Sequence, residues 1–295
     1  MIERRLRYEP PLATEPLLRF LGDRAIARIE SYDGSTFHRS VRTPNGGAAV
    51  IGLTPRPAAG VVRLRIAADD PADASYLVGT ARRLLDLDAD PAVIDHALSA
   101  DPVLRPLIRA TPGLRLPGIV DGFELTVRAI VGQQVSVRAA RTFAGRIVEA
   151  LGTPLERPTG GITYLFPTAE QVAGGSLRTI GLTTARAATL QRVASLVATG
   201  ELDLTATADR AVTAERLLAV PGIGPWTVAY VSMRMLHDAD AFMVGDLGVR
   251  LGFEALGLPS TPAAMRRHAE RWRPWRAYAV MHLWHGAHRA TPARA

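Results

Sequence analysis

Two short stretches hold residue types and spacings that suit chemistry. The first is Val220-Pro221-Gly222-Ile223-Gly224-Pro225-Trp226-Thr227. Pro221, Gly222, Ile223 and Gly224 make a tight turn between a helix ending at Val220 and one that begins with Pro225, where a missing N–H does no harm. Two glycines let the backbone fold closely and keep side chains off the turn. The amides of the turn and of the first helical turn then point outward together, an anion cradle reinforced by the helix dipole. A plain helical corner punctuated by Pro and Gly shares the coarse pattern. The second stretch is an apolar run, residues 241–244, ending in Gly245, Asp246 and Leu247 before a helix. An Asp in that place is first of all an N-cap. Its carboxylate is also kept ionised by the dipole and amides, so it can face a developing positive charge.

Positioning these groups falls to helices. From about residue 71 the pattern is almost wholly helical, over 75–85, 91–100, 122–149, 185–198, 214–220, 225–236, 247–256, 262–272 and 275–286, with short Gly- and Pro-rich links. Residues 154–161 read as the loosest linker. Before residue 70 the periodicity changes. Segments 36–42 and 61–66 alternate apolar and polar side chains, Asn45-Gly46-Gly47 is a turn signal, and 48–53 is an apolar strand-like run. Residues 16–27 have helical spacing with Leu17, Phe20 and Leu21 on one face. The fold class is α+β: a small antiparallel-sheet N-terminal domain, residues 1–70, then an all-α body, residues 71–295, with a cleft between helical halves. Asp69, Asp70 and Asp73 read as a solvated linker between them.

Composition narrows the chemistry. The 295 residues include no cysteine, which excludes disulfides, thiolate metal sites, iron–sulfur clusters and a Cys nucleophile. All 35 basic residues are arginine, so a P-loop lysine, a PLP lysine and any lysine Schiff base are excluded too. The net charge of +7 favours a polyanionic partner. Residues 260–295 hold seven arginines against one acid, Glu270, and three of the four tryptophans: Trp272, Trp275 and Trp284. Basic residues interleaved with aromatics suit a surface that meets phosphate and stacks on bases. No apolar stretch is long enough for a membrane span, and the charged start lacks a signal-peptide core, so a cytoplasmic, nucleoid-associated protein is expected. His282, His285 and His288 are spaced as a weak metal candidate with no acid nearby. Met233, Met235 and Met243 read as core fillers.

A hairpin of this kind with an Asp some two dozen residues on resembles the helix-hairpin-helix DNA glycosylases. Other segments narrow the resemblance: Tyr8-Glu9-Pro10-Pro11, Gly113-Leu114-Arg115-Leu116-Pro117-Gly118, Asp121-Gly122-Phe123-Glu124, Gly132-Gln133-Gln134-Val135-Ser136 and Trp272-Arg273-Pro274-Trp275-Arg276-Ala277-Tyr278. Over residues 8–284 the chain is similar to bacterial DNA-3-methyladenine glycosylase II, the AlkA family.

The resemblance implies excision of alkylated bases, of 3-methyladenine and 7-methylguanine type, by flipping the nucleotide from double-stranded DNA and hydrolysing the N-glycosidic bond. It makes Asp246 the catalytic carboxylate. Trp226, Tyr230, Trp284, Phe20 and Leu247 fall at base-pocket positions, and Gln134 at the wedge that fills the vacated stack. Gln133, Pro221, Gly222, Ile223, Gly224, Trp226 and Thr227 are the expected DNA-binding residues. No cofactor is implied beyond a monovalent Na⁺ or K⁺ at hairpin carbonyls near Val220 and Ile223, and a monomer is expected. The family often has a second acid and an aromatic beside the catalytic Asp; Gly245 and Leu247 stand there instead. Trp226 occupies the place where strand-cleaving relatives carry an imine-forming lysine, which implies a monofunctional hydrolase. Two other readings remain at this point: a glycosylase for another lesion such as hypoxanthine or uracil, and a non-catalytic lesion sensor.

Overall fold

The computed structural model describes residues 1–290, and their side chains through residue 286. Period-two alternation produces a five-stranded antiparallel sheet from β1 (Ile2–Arg7), β2 (Glu30–Tyr32), β3 (Phe37–Arg42), β4 (Ala48–Arg56) and β5 (Val61–Ala68), in the order β1-β5-β4-β3-β2. Strand β1 was hidden by its arginines: only Leu6 is buried, while Arg5 sits across from Arg63 on the outer face. Helix α1 (Thr14–Asp23) buries Leu17, Leu18, Phe20 and Leu21 against the inner face.

The helical body follows with α2 (Ala74–Leu85), α3 (Pro91–Leu98) and α4 (Arg105–Ala110), which share the sheet's core. Helices α5 (Gly122–Gly132) and α6 (Val137–Leu151) come next, then the hairpin β6 (Thr153–Thr159) and β7 (Ile162–Leu165). After α7 (Ala169–Gly174), α8 (Thr184–Ala198) and α9 (Arg210–Leu218) come α10 (Pro225–Met235), α11 (Leu247–Ala255), α12 (Pro262–Ala269) and α13 (Arg276–Ala290). A second core is built from α5 through α10, while α11 and α13 return to the first. Met233, Met235 and Met243 are all buried.

Four sequence expectations need correction. Residues 122–149 are two helices, because Gln134 turns left-handed at φ 57° and Ser136 restarts the helix by accepting the Ala139 N–H. Residues 154–161 are not a linker. Leu155, Ile162 and Leu165 of that hairpin cover Val50, which explains why β4 is apolar on both faces. Asp73 is buried rather than solvated, and Asp69 and Asp70 accept backbone N–H groups from Ala48 and Ala72. The basic stretch near the C-terminus is not an aromatic-studded surface. Trp272 is 1% exposed and donates to Asp101, and Arg273 and Arg276 are paired with Asp240 and Glu270.

The sheet is fastened to the body by buried charges. Alternation puts Arg39 on the same face of β3 as Phe37 and Val41, and it is 1% exposed. Its guanidinium donates to Glu30 at 3.0 Å and to Glu124 of α5 at 2.8 Å. Arg128, one turn along α5, reaches both of the same carboxylates. Two cations and two anions interlock, so each charge has its counter-charge where water is absent.

Candidate active site

A cavity of about 1000 Å³ lies between the two cores, walled by α5, α6 and α10, by the loop leading into α11, and by Trp284 of α13. Among the described residues no helix is long and apolar enough to cross a membrane.

The hairpin forms as its sequence demands. Gly222 has φ 91°, a left-handed conformation that favours glycine, and a Cβ there would come within 2.4 Å of the Thr189 hydroxyl. Gly224 is different: its φ is −114° and a Cβ would meet open space. The Ile223 N–H closes the turn onto the Val220 carbonyl, while the carbonyls of Pro221 and Gly222 accept from Thr189 and Gln133. Pro221 and Gly222 are exposed, and the Gly222 and Gly224 amides donate to nothing among the described residues. Ile223 and Thr227 are buried, so they set the hairpin from beneath.

Asp246 caps α11. Its Oδ1 accepts the Val249 N–H at 2.8 Å and the Trp284 indole N–H at 2.7 Å; its Oδ2 accepts the Trp226 indole N–H at 2.9 Å. A carboxylate offers about four acceptor positions, so one on Oδ2 stays open. Two indoles from different helices thus fix one carboxylate at the cavity wall. Trp284 comes this close because Gly248 has no side chain: a Cβ there would lie 2.6 Å from the indole. Among the described residues, no guanidinium or imidazole forms an ion pair with Asp246.

Aromatic rings complete the wall. Trp226 stacks on Tyr230 at 5.4 Å between centroids, and Tyr230 meets Trp284 at 6.5 Å. Phe20 stacks on Trp284 at 6.0 Å, but the Arg24 guanidinium covers its ring at 3.8 Å. Phe20 therefore backs the pocket instead of offering a free face to a base, a correction to its expected role. Leu247 is 59% exposed at the mouth.

Gln134 is the exposed apex of the turn between α5 and α6. Gln133 is not available in the same way. Its amide donates to the Gly222 carbonyl and the Thr227 hydroxyl, both at 3.0 Å, and Arg186 holds its carbonyl at 2.7 Å. It braces the hairpin against the wedge, a supporting role beside the DNA contact expected of it. His282 is buried, and burial, with His285 adding to it, pushes its imidazole down to about 4. The side chain of His288 lies outside the described residues.

Sequence reasoning missed Arg234. Its Nε and one terminal nitrogen donate to the Pro117 and Gly118 carbonyls at 2.9 and 2.7 Å, and the other terminal nitrogen donates to the Tyr230 hydroxyl at 2.9 Å. A signal was present, since Trp226, Tyr230 and Arg234 follow one another at i, i+4 and i+8 on one helix face.

With this geometry in view, known families decide the lineage. The AlkA N-terminal domain family matches residues 3–121, and the family described as HhH-GPD superfamily base excision DNA repair protein matches residues 127–277. The chain belongs to the HhH-GPD superfamily. Among its relatives is DNA-3-methyladenine glycosylase 2 of Escherichia coli K12, 33% identical over 284 residues, which are 95% of this chain and 96% of that one. A probable bifunctional transcriptional activator/DNA repair enzyme AlkA of Mycobacterium tuberculosis H37Rv is 41% identical over 280 residues. The match takes in 95% of this chain but spans 56% of that relative's length. In three dimensions, the 3-methyladenine DNA-glycosylase of Archaeoglobus fulgidus superposes with a TM-score of 0.80 at 21% identity, covering 99% of this chain and all of that one. The 8-oxoguanine glycosylase/lyase of Clostridium acetobutylicum, solved with double-stranded DNA, gives 0.69 at 18% identity and covers 90% of this chain and 99% of that one. The likeness of fold to these glycosylases therefore extends through nearly the whole chain, the N-terminal sheet included.

Proposed function

We propose that the chain is a monofunctional DNA glycosylase that removes alkylated bases from double-stranded DNA. The observation that carries this reading is the Asp246 carboxylate, fixed by the Trp226 and Trp284 indoles at the wall of an aromatic cavity. Relatives named as 3-methyladenine glycosylases support the substrate class, and neighbours solved with DNA support the partner. The protein works as a cytoplasmic monomer.

Outward amides at the hairpin grip a phosphate; a Na⁺ or K⁺, if bound, would be held by carbonyls near Val220 and Ile223 and would supply positive charge toward the backbone. Gln134 enters the stack as the target nucleotide swings into the cavity. As the bond from sugar to base stretches, positive charge grows on the sugar. Asp246 stabilises it and takes the proton of the water that adds at C1′. A base alkylated on a ring nitrogen leaves as a neutral molecule and needs no acid. With no lysine in the chain, no imine forms and the product is an intact strand with an abasic site.

Incubation with methylated DNA and with single-lesion oligonucleotides, followed by identification of the released bases, tests the reading. Release of 3-methyladenine and 7-methylguanine is expected, without a borohydride-trapped adduct. Absence of both bases from the supernatant would end it.

A further inference from the structure

We propose that the outer face of the N-terminal sheet is a second DNA-binding surface, which holds the phosphates of a separate duplex while the hairpin holds the first. The proposal goes beyond base release and does not depend on it.

Strand alternation sends Arg5 and Arg7 of β1, Arg63 and Arg65 of β5 and Arg56 of β4 to the face opposite α1. That face looks away from Phe20 and the cavity, because α1 packs on the inner side. Together with the turn Pro57–Ala59 it forms an open recess of about 600 Å³, lined by Arg5, Arg56 and Arg63, and Arg7 lines the recess beside it. Counter-charge is scarce. Glu3 is taken by Arg65 at 3.5 Å, and Glu9 lies in the adjoining recess. Among the described residues Arg5, Arg7, Arg56 and Arg63 form no ion pair, and the Arg63 Nε is buried without a hydrogen-bond partner.

Like charges directly opposite on neighbouring strands destabilise a sheet, and Arg5 faces Arg63 across β1 and β5. Protection of an exposed edge accounts for Arg5 and Arg7, because β1 is an edge strand. It does not account for Arg63 and Arg56, which stand on interior strands. An anion between the guanidiniums does.

Two features point to nucleic-acid phosphate as that anion. Guanidinium forks match phosphate oxygens two at a time, and a duplex presents its charge in an unbroken line, so one backbone answers several arginines. A protein partner, by contrast, is held by aromatic or other large anchors in central pockets, and the residues lining this recess include no aromatic ring. Held at two faces at once, the protein passes from one stretch of DNA to another without first letting go.

Two short duplexes test this. One carries a stable abasic-site analogue and a donor fluorophore; the other is undamaged and carries an acceptor. With protein and the first duplex at equal concentration, added second duplex should give energy transfer that saturates at one per protein. Arg5→Gln combined with Arg63→Gln should weaken that second binding about tenfold or more and flatten its salt slope by roughly 1.8, two phosphate contacts' worth. Affinity for the first duplex should stay within about twofold, and the melting temperature should hold or rise as the cross-strand repulsion is relieved. If the double variant melts lower, Arg5→Gln alone, at an exposed position, should show a smaller loss in the same direction. Energy transfer untouched by the substitutions, a complex that stops at one duplex, or a second duplex displaced more readily by a polyglutamate peptide than by unlabelled DNA of equal charge would overturn the proposal.

Discussion

Two places in this molecule hold carboxylates out of bulk water, and they do so by opposite means. Glu30 and Glu124 are matched by the guanidiniums of Arg39 and Arg128. There burial pushes the Glu124 carboxyl up, but the two arginines outweigh it and hold it below the usual range. Asp246 is held by neutral donors, two indoles and one amide. A guanidinium cancels a carboxylate's field at a distance; an indole N–H orients the carboxylate and leaves its net charge intact. The first arrangement fastens a sheet to a helix. The second, under the proposed function, keeps a negative charge ready for a cation that exists only in the transition state. The two sets of donors thus give one pair of acids a neutralising surround and leave Asp246 its full charge.

Substitutions separate the two kinds of site. Arg39→Met leaves two buried carboxylates sharing one guanidinium. Stability should fall by about 3–5 kcal/mol in denaturant titration, and a loss under about 1 kcal/mol would mean that the cluster is hydrated. His282 handles burial in a third way, by staying neutral. Its folded-state titration lies at about 4, below the ordinary 6.5, so its contribution is present above pH 6.5 and is lost as pH falls toward 4. His282→Leu should remove on the order of 2–3 kcal/mol from the stability lost over that interval. An unchanged slope of stability against pH would contradict the assignment.

Trp226→Phe keeps the stack on Tyr230 but strips the donor from Oδ2. About a tenfold loss of base-release rate is expected, the scale of one hydrogen bond to a charged group, with little change in melting temperature. The hairpin glycines should differ. Gly222→Ala should cost about 1–2 kcal/mol through its left-handed backbone and the Thr189 contact, while Gly224→Ala should leave stability within about 0.5 kcal/mol. Equal effects at both positions would mean that the turn is not held as described.

Much of this was legible in the residues. The hairpin declares itself through Pro and Gly, and Asp246 through its place before a helix, because both depend on local backbone rules. Periodicity likewise marked the sheet and most helices. What escaped depended on pairing across long stretches of chain. Arg39 reads as a polar strand residue until Glu124, 85 positions away, is brought to it. Gln133 shows nothing in sequence of its bond to the hairpin, whose Gly222 carbonyl accepts its amide 89 positions away. The break at Gln134 had its signals in Gly132 and in Ser136, a good N-cap, which the apolar spacing on both sides overrode, and the β6–β7 hairpin was hidden by its prolines.

Under the proposed function, Asp246 is held for chemistry and not for the fold. Asp246→Asn tests that when melting temperature and single-turnover release of 7-methylguanine are measured on the same preparation. An Asn can still cap α11, so the melting temperature should stay within a few degrees, while the rate should drop by about 10² or more. A variant that melts many degrees lower but keeps a rate within a few-fold of the parent would contradict the account.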